Sequence, residues 1–291
     1  MQRCLSLVFL FILSVAAYGQ NVDSLRFMNA DWRERFDDGI FFYKHHFSND
    51  GLFGAAQYIY IMSVPADQVH RLRFAFDTVL TETSVQARRL HAVAAVNGSF
   101  FDMKKGNPVC YLRIDGCERG ENVPLATDSI NRKYYQYATI CLDDSVLRLV
   151  VPDSSRFAER LLPYSHVMTA GPMLLFDSRV VPQRDDRTFV THRHNRTALG
   201  LRNDGSVVIL VADGRFNKRA EGLTLSELTM LMRWLGCRDA INLDGGGSST
   251  FYMRLQQYEH GSGVRNYPSD NNRFDHDGER PVSNIIFVMP N

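Results

Sequence analysis

The sequence predicts a single α+β domain in which strands outnumber helices, with mixed sheets, a few packed helices and a functional site at glycine-rich loops that follow strands. Three observations support this prediction. Short apolar runs recur along the 291 residues, only two segments have clear helical periodicity, and no linker or repeat divides the chain. The composition, with 45% hydrophobic and 22% charged residues, excludes disordered, collagen-like and coiled-coil classes.

Residues 1–19 have the pattern of a secretory signal peptide. Arg3 precedes a short apolar run, and the small residues Ala17 and Gly19 precede the predicted cleavage site before Gln20. A membrane anchor is the alternative, but it would need an apolar run of roughly 20 residues. We therefore expect a secreted or periplasmic protein without stable membrane insertion.

The charge balance limits the partners of the protein. The chain has 33 Lys+Arg against 32 Asp+Glu, so it has no field of one sign that would attract a polyanion. Binding to nucleic acid by neutralisation of the phosphate backbone is therefore not expected. The oligomeric state is left open by the sequence.

Four cysteines remain after the predicted cleavage: Cys110, Cys117, Cys141 and Cys237. An even number of cysteines in an oxidising compartment permits two disulfides. Cys110 and Cys117 are the expected local pair, because Asp115-Gly116 supplies a turn between them. Cys141 and Cys237 can equally be free buried thiols.

Eleven apolar runs have the length and composition of strands. They are Tyr58–Val64, Arg71–Phe76, Ala92–Val96, Tyr137–Leu142, Val146–Val151, Met173–Phe176, Thr197–Leu201, Val207–Ala212, Ala240–Leu243, Thr250–Met253 and Ile285–Met289.

Two segments, Thr81–Leu90 and Thr224–Leu235, have helical periodicity. In the second, Thr224 and Glu227 have the spacing of a capping box, and Gly236 is placed to end the helix. Each helix leads into a buried strand and then into a polar loop. Loops at strand ends are where sites of layered α/β proteins tend to lie.

The segment Asn242–Thr250 is the most informative part of the sequence. Its three glycines, Gly245 to Gly247, let the backbone approach a ligand, and Asn242 and Asp244 fall on one face because side chains alternate along a strand. Such a loop suits an oxyanion or a sugar. A plain hairpin turn is the alternative, but it would need only two residues.

Arg196 lies at the start of a predicted strand, with Thr197 beside it as a hydroxyl donor. The planar guanidinium matches a phosphodiester or a carboxylate, although a lone surface arginine is usually only solvated. Asp213 ends the next strand, and a hairpin through residues 203–205 would bring it to the same end of the sheet as Arg196. We also expect both to lie within reach of the loop at Gly245. For Asp213, an ordinary Asp-Gly turn is the alternative interpretation.

Six motifs, taken in order and spacing, resemble the phosphodiester glycosidase family over residues 55–290. They are Asn97-Gly98-Ser99-Phe100-Phe101-Asp102, Ala170-Gly171-Pro172, Arg196-Thr197-Ala198-Leu199-Gly200, Ala212-Asp213-Gly214-Arg215, Gly222-Leu223-Thr224-Leu225-Ser226-Glu227-Leu228 and Asn242-Leu243-Asp244-Gly245-Gly246-Gly247-Ser248. The last motif is the specific one. With the signal peptide predicted at 1–19, the chain divides into that segment, an N-terminal extension at 20–50 and a catalytic domain at 51–291 that resembles this family.

The resemblance implies hydrolysis of a sugar-1-phosphodiester, such as an N-acetylglucosamine-1-phosphate diester of an envelope or host glycan, at the anomeric carbon. Arg196 would hold the phosphate, and Asp213 or Asp244 would activate water, attack the anomeric carbon or stabilise the transition state. The residues expected to bind substrate are Asn97, Thr197, Asn242, Gly245, Gly246, Gly247, Ser248 and Thr250. No cofactor or metal is implied.

Two other functions stay open on the sequence. A non-catalytic module could bind a glycan with the same loops, and a metal-dependent phosphodiesterase could hold a divalent cation with Asp213 and Asp244 and cut the P–O bond. Two N-glycosylation sequons, at Asn97 and Asn195, fall inside the expected site, where a glycan would block access. That position favours a bacterial exported protein.

Overall fold

The computed structural model describes residues 22–123, 134–143, 146–152, 157–183, 187–256 and 261–291. The predicted signal peptide at 1–19 lies outside these ranges. Within them, no helix combines the length and the apolar character needed to cross a bilayer.

The described residues form seventeen strands and four α-helices. The strands are β1 (Arg33–Asp37), β2 (Ile40–Leu52), β3 (Ala55–Val64), β4 (Leu72–Thr81), β5 (Ala94–Asn97), β6 (Leu112–Ile114), β7 (Cys117–Gly120), β8 (Ala138–Leu142), β9 (Leu147–Val150), β10 (His166–Ala170), β11 (Met173–Phe176), β12 (Arg179–Val180), β13 (Arg196–Arg202), β14 (Val207–Ala212), β15 (Cys237–Asn242), β16 (Phe251–Met253) and β17 (Val282–Val288). The helices are α1 (Val22–Met28), α2 (Thr83–Arg89), α3 (Thr188–Thr191) and α4 (Leu225–Trp234).

The strands form three sheets, which confirms the predicted α+β class with few helices. The largest sheet has eight strands in the order β1-β2-β3-β14-β13-β15-β11-β12. A five-stranded sheet has the order β7-β6-β10-β8-β9, and a four-stranded sheet has the order β16-β5-β17-β4. Every pairing found between these strands is antiparallel, whereas the sequence predicted mixed sheets. Parallel pairs would need long crossover connections, and few helices are present to form them.

The large sheet separates two apolar cores. On one face, Leu199 and Val211 pack with residues of the two smaller sheets, such as Ile286. On the other face, Ala198 packs with Leu228 and other residues of α4. Neighbouring residues of β13 therefore project into different cores, and this alternation decides on which side each strand-end residue projects.

All eleven predicted strands are present, with ends shifted by up to five residues. Helix α4 also confirms its prediction: the Thr224 side chain accepts from the Glu227 N–H in a capping box, and Gly236 follows with φ +79°. Six strands were missed, namely β1, β2, β6, β7, β10 and β12. Two of them, β1 and β2, place most of segment 20–50 in the large sheet.

The predicted Cys110–Cys117 disulfide is wrong. Among the described residues, Cys110, Cys117, Cys141 and Cys237 form no disulfide. The predicted turn is present, with φ +52° at Asp115 and +74° at Gly116, but it pairs Cys117 with Ile114. Cys110 is four residues further along, or about 13 Å at about 3.3 Å per residue, beyond the roughly 7 Å that a disulfide can span.

Candidate active site

Three strand ends meet at one rim of the large sheet. The hairpin of β13 and β14 pairs Arg196 with Ala212, which confirms the predicted turn between these strands. The loop after β15 is held by backbone bonds, from Asp244 N to Gly98 O at 3.1 Å and from Gly246 N to Asn195 O at 2.9 Å. The loop after β5, the start of β13 and the triglycine loop are therefore in contact, as expected from the sequence.

Asn97 and Thr197 lie beneath the triglycine loop and support it. Asn97 Nδ2 donates to the backbone oxygen of Asp244 at 2.7 Å. Its Oδ1 accepts from the Thr197 hydroxyl at 2.8 Å and from the Thr250 N–H at 3.3 Å. Both side chains are buried and bonded within the protein, so they position the loop, whereas the sequence predicted that they bind substrate directly.

Asp244 is half-buried at the mouth of this arrangement, and Oδ1 accepts the Gly245 N–H at 2.9 Å. Burial raises the pKa of Asp244 to about 6. The hydroxyl of Ser248, the Gly245 N–H and the charges of Arg280 and Arg215 act in the opposite direction. Asp244 therefore titrates close to neutral pH and is mostly ionised at pH 7.

Two arginines that the sequence analysis did not select flank the triglycine loop. The Arg215 guanidinium lies over Gly246, where a Cβ would stand 2.7 Å from Nη2, and Arg280 Nη2 would stand 2.5 Å from a Cβ on Gly247. Gly246 has φ +62°, and Arg215 itself has φ +69°, a backbone conformation that is unusual for arginine. The glycines are therefore required by the close approach of two cations.

The position of Arg280 is set by an ion pair with Asp270, at 2.5 Å between Nη2 and Oδ1. Arg215 is exposed as a whole residue, but its guanidinium is partly buried. This burial and the charge of Arg280 lower the pKa of Arg215, whereas the charges of Asp270 and Asp244 raise it. The two cations therefore lie together beside the triglycine loop, an arrangement that suits an anion.

Arg196 has a different environment from the one expected. It has the same parity in β13 as Ala198, so it projects toward α4, away from the face on which Thr197 contacts Asn97. Its side chain is 1% exposed; Nε donates to Leu223 O at 2.8 Å, and Nη2 donates to Phe189 O at 2.6 Å. The Arg196 guanidinium therefore donates to backbone oxygens, whereas the sequence predicted that it binds a phosphate.

Asp213 is fully buried behind the rim. Its carboxylate accepts from Asn266 Nδ2 at 2.9 Å and from the Tyr267 N–H at 3.0 Å. Burial raises the pKa of Asp213 to about 7, although these bonds and the charge of Lys44 favour the ionised form. Tyr60 lies beside Asp213. Burial raises the pKa of Tyr60, and the charge of Asp213 raises it further. Asp213 thus joins the sheet to the loop at 266–267.

The other predicted substrate-binding residues divide into two groups. Ser248 and Thr250 lie on the loop and are buried, and the Thr250 hydroxyl has no hydrogen-bond partner among the described residues. Asn242 is turned away, and its Nδ2 donates to Gly171 O at 2.9 Å. Two of the three glycine amides have partners within the loop region, Gly245 with Asp244 and Gly246 with Asn195.

Across the described ranges, no three or more His, Cys, Asp or Glu side chains come together in a group that could hold a metal ion. Asp213 and Asp244 differ in surroundings, one sealed by Asn266 and Tyr267 and the other open beside two arginines. The arrangement favours binding of an anion at the arginines, with a carboxylate adjacent to it.

The buried Asp213 carboxyl is expected to make stability depend on pH. Its folded-state pKa of about 7 lies above the ordinary 3.8, so between these values the folded protein holds a proton that the unfolded chain has released. This contribution is complete at low pH and is lost as the pH rises through the folded pKa. The free energy of unfolding should fall toward pH 7, and Asp213→Asn should flatten that fall. Denaturant unfolding over a pH series measures it, and an unchanged slope between pH of about 6 and about 7 in the variant would contradict the assignment.

The chain is similar to proteins of one family. The phosphodiester glycosidase family model matches residues 91–289. Mouse N-acetylglucosamine-1-phosphodiester alpha-N-acetylglucosaminidase is 37% identical over 184 residues, which cover 60% of this chain and 33% of the mouse protein. The human protein of the same name is 36% identical over 190 residues, covering 63% and 35%. The chain spans about a third of the length of these relatives.

Solved structures show the same fold. The zebrafish catalytic domain of that enzyme, auto-inhibited by its pro-peptide, matches with a TM-score of 0.66 at 17% identity, over 89% of this chain and 88% of that chain. A Synechocystis protein matches with a TM-score of 0.61 at 14% identity, over 89% and 64%. The family model covers most of this chain, including the triglycine loop and the strands that carry it. The chain therefore belongs to the phosphodiester glycosidase family.

Proposed function

We propose that this chain is an exported hydrolase that cleaves a sugar-1-phosphodiester between the anomeric carbon and the phosphate oxygen. The observation that carries the proposal is the half-buried Asp244 carboxyl on the triglycine loop, within the fields of Arg215 and Arg280. A carboxylate beside two guanidinium groups matches a transition state with positive charge on the sugar and negative charge on the departing phosphate.

Arg215 and Arg280 are proposed to bind the phosphate. Asp270 orients Arg280, and the planar guanidinium can donate two parallel hydrogen bonds to a phosphate. As the bond to the anomeric carbon breaks, its electron pair stays on the phosphate oxygen and the two cations stabilise the added charge. Because a phosphate monoester is already a stable anion, this leaving group needs less help from a general acid than an ordinary alcohol does.

Asp244 is proposed to act in its ionised form at the anomeric carbon. It can stabilise the oxocarbenium-like transition state, attack the carbon to form a glycosyl ester, or take a proton from the attacking water. In each case the oxygen of water ends on the anomeric carbon, and the products are a reducing sugar and a phosphate monoester. Asp213 acts as a positioning residue through Asn266 and Tyr267.

The substrate is proposed to carry N-acetylglucosamine, because the mouse and human relatives are named for N-acetylglucosamine-1-phosphodiester. The half-buried Phe100 ring, stacked on Tyr135 at 4.4 Å between centroids, follows Gly98 by two residues and offers an aromatic surface for a sugar ring. Export is proposed from the signal-like pattern of residues 1–19.

Hydrolysis of a methyl phosphodiester of N-acetylglucosamine 1-phosphate in ¹⁸O-water tests this function. We expect the label in the released sugar, because water attacks carbon. Label in the phosphate would overturn the mechanism and indicate a phosphodiesterase that cuts the P–O bond. Binding of the substrate without release of either product would indicate a glycan-binding module.

A further inference from the structure

A second cavity, of about 200 Å³, is lined by residues of β1, β2 and β3 together with Phe251, Met253 and Arg265. Four cationic side chains line it: Arg33, Arg35, Lys44 and Arg265. Glu34 is the one acid among its lining residues, and Phe42, Tyr60, Phe251 and Met253 supply apolar surface. Asp244, Arg215 and Arg280 are not among the described residues that line it, so the cavity is separate from the candidate active site.

Strand register explains how the cations are brought together. Arg33 is paired directly with Lys44, and Lys44 is paired with Tyr60, so the three side chains share one face. Arg35 is two residues from Arg33 and projects from the same face. Like charges placed directly opposite each other destabilise a sheet, and Arg33 and Lys44 are such a pair. A bound anion would remove that repulsion.

Lys44 is the residue most affected by this crowding. Burial lowers the pKa of Lys44, and Arg33 and Arg265 lower it further, while Asp213 opposes them. Its ammonium group is 5.8 Å from the centre of the Tyr60 ring. Arg35, in contrast, has an acid nearby, with 3.6 Å between Nη2 and Asp37 Oδ2. Lys44 is therefore the cation of this cavity on which neighbouring like charges act.

Tyr60 lies on the apolar wall of the cavity. The residue is 1% exposed, and its hydroxyl lies beside the buried Asp213 carboxyl. A bound oxyanion would be an alternative acceptor for the proton of this hydroxyl.

We infer that this cavity is a second anion site, which binds a tetrahedral oxyanion such as the phosphate or sulfate ester of a glycan chain. Its volume of about 200 Å³ equals that of roughly seven water molecules at about 30 Å³ each, enough for one such group. Lys44 and Thr197 lie three strands apart, or about 14 Å at about 4.8 Å per strand. Most of the residues that line the cavity come before residue 91, outside the part of the chain that the family model matches. The inference does not depend on the proposed hydrolysis.

Calorimetric titration with inorganic phosphate tests the site. The Arg215→Gln protein is used as the starting protein, so that binding at the candidate active site is weakened. We expect Lys44→Met, which keeps the alkyl stem, to weaken phosphate binding about tenfold, because one charge-assisted contact is lost. Arg179→Gln, at the opposite edge of the same sheet, removes an exposed positive charge and should leave the affinity unchanged.

Arg33→Gln provides a second variant at an exposed position, in case Lys44→Met impairs folding. It should also weaken phosphate binding, and sulfate should bind to the starting protein whereas acetate should not. An affinity unchanged in both cavity variants, absence of phosphate binding by the starting protein, or acetate binding as tight as phosphate binding would each overturn the inference.

Discussion

Asp244→Asn is expected to lower kcat/KM for a sugar-1-phosphodiester by about 10³-fold while the protein stays folded. The amide keeps the shape of the carboxylate but loses the charge that a cationic transition state requires. Steady-state kinetics measure the loss, and a thermal unfolding curve shows that the fold is retained.

The pH profile links this loss to ionisation of Asp244. Because the pKa of Asp244 is raised to about 6, kcat/KM of the wild-type enzyme should rise with pH through that value as the carboxylate forms. The neighbouring Asp213→Asn variant should keep this rise. A rate that falls through pH of about 6 would identify Asp244 as a general acid, and a fully active Asp244→Asn enzyme would remove it from the mechanism.

Arg215→Gln is expected to lower kcat/KM for the phosphodiester about 100-fold and to change hydrolysis of a neutral aryl glycoside little. Only the phosphodiester presents an anion to the guanidinium above Gly246. Parallel kinetics on the two substrates measure the selectivity of the effect.

Arg196→Gln is the matched control, with the same change of charge one hairpin away. Its guanidinium donates to backbone oxygens of Leu223 and Phe189, so its loss leaves buried acceptors without partners. We expect a lower melting temperature and equal effects on both substrates. A loss of kcat/KM that is confined to the phosphodiester in Arg196→Gln, with no such loss in Arg215→Gln, would indicate that Arg196 binds the phosphate and Arg215 does not.

The sequence predicted the position of the site along the strands better than the side on which each residue projects. It brought Arg196, Asp213 and the triglycine loop to one rim, and the structure confirms that the three segments meet. Both faces of β13 are buried, so no alternation of polar and apolar residues indicated which face Arg196 shares.

The arginines of the site were missed for a different reason. Arg215 follows Asp213-Gly214, a pair that is typical of an ordinary turn, and its contact with Gly246 joins segments far apart in the chain. Arg280 lies in an irregular segment without periodicity, and its orientation depends on Asp270. The spacing of the three glycines was the available signal, because it indicates close approach of a neighbour, but it does not identify that neighbour.

Strand β1 was missed because its sequence, RERFD, is highly charged and lacks the usual apolar alternation. It forms at the edge of the sheet, where charged side chains can remain in contact with solvent. Arg33 and Arg35 of this strand also line the second cavity. The missed N-terminal strands therefore coincide with the cationic cavity, which no sequence motif had indicated.

The position of β17 at the centre of the four-stranded sheet sets the order of events in folding. This strand, at Val282–Val288, pairs with β4 on one side and with β5 on the other, and Asn291 donates to the Asp38 carboxylate. The sheet therefore cannot close until the segment that contains β17 has been synthesised. Contacts between such distant segments slow folding, since loop-closure entropy is lost before they form.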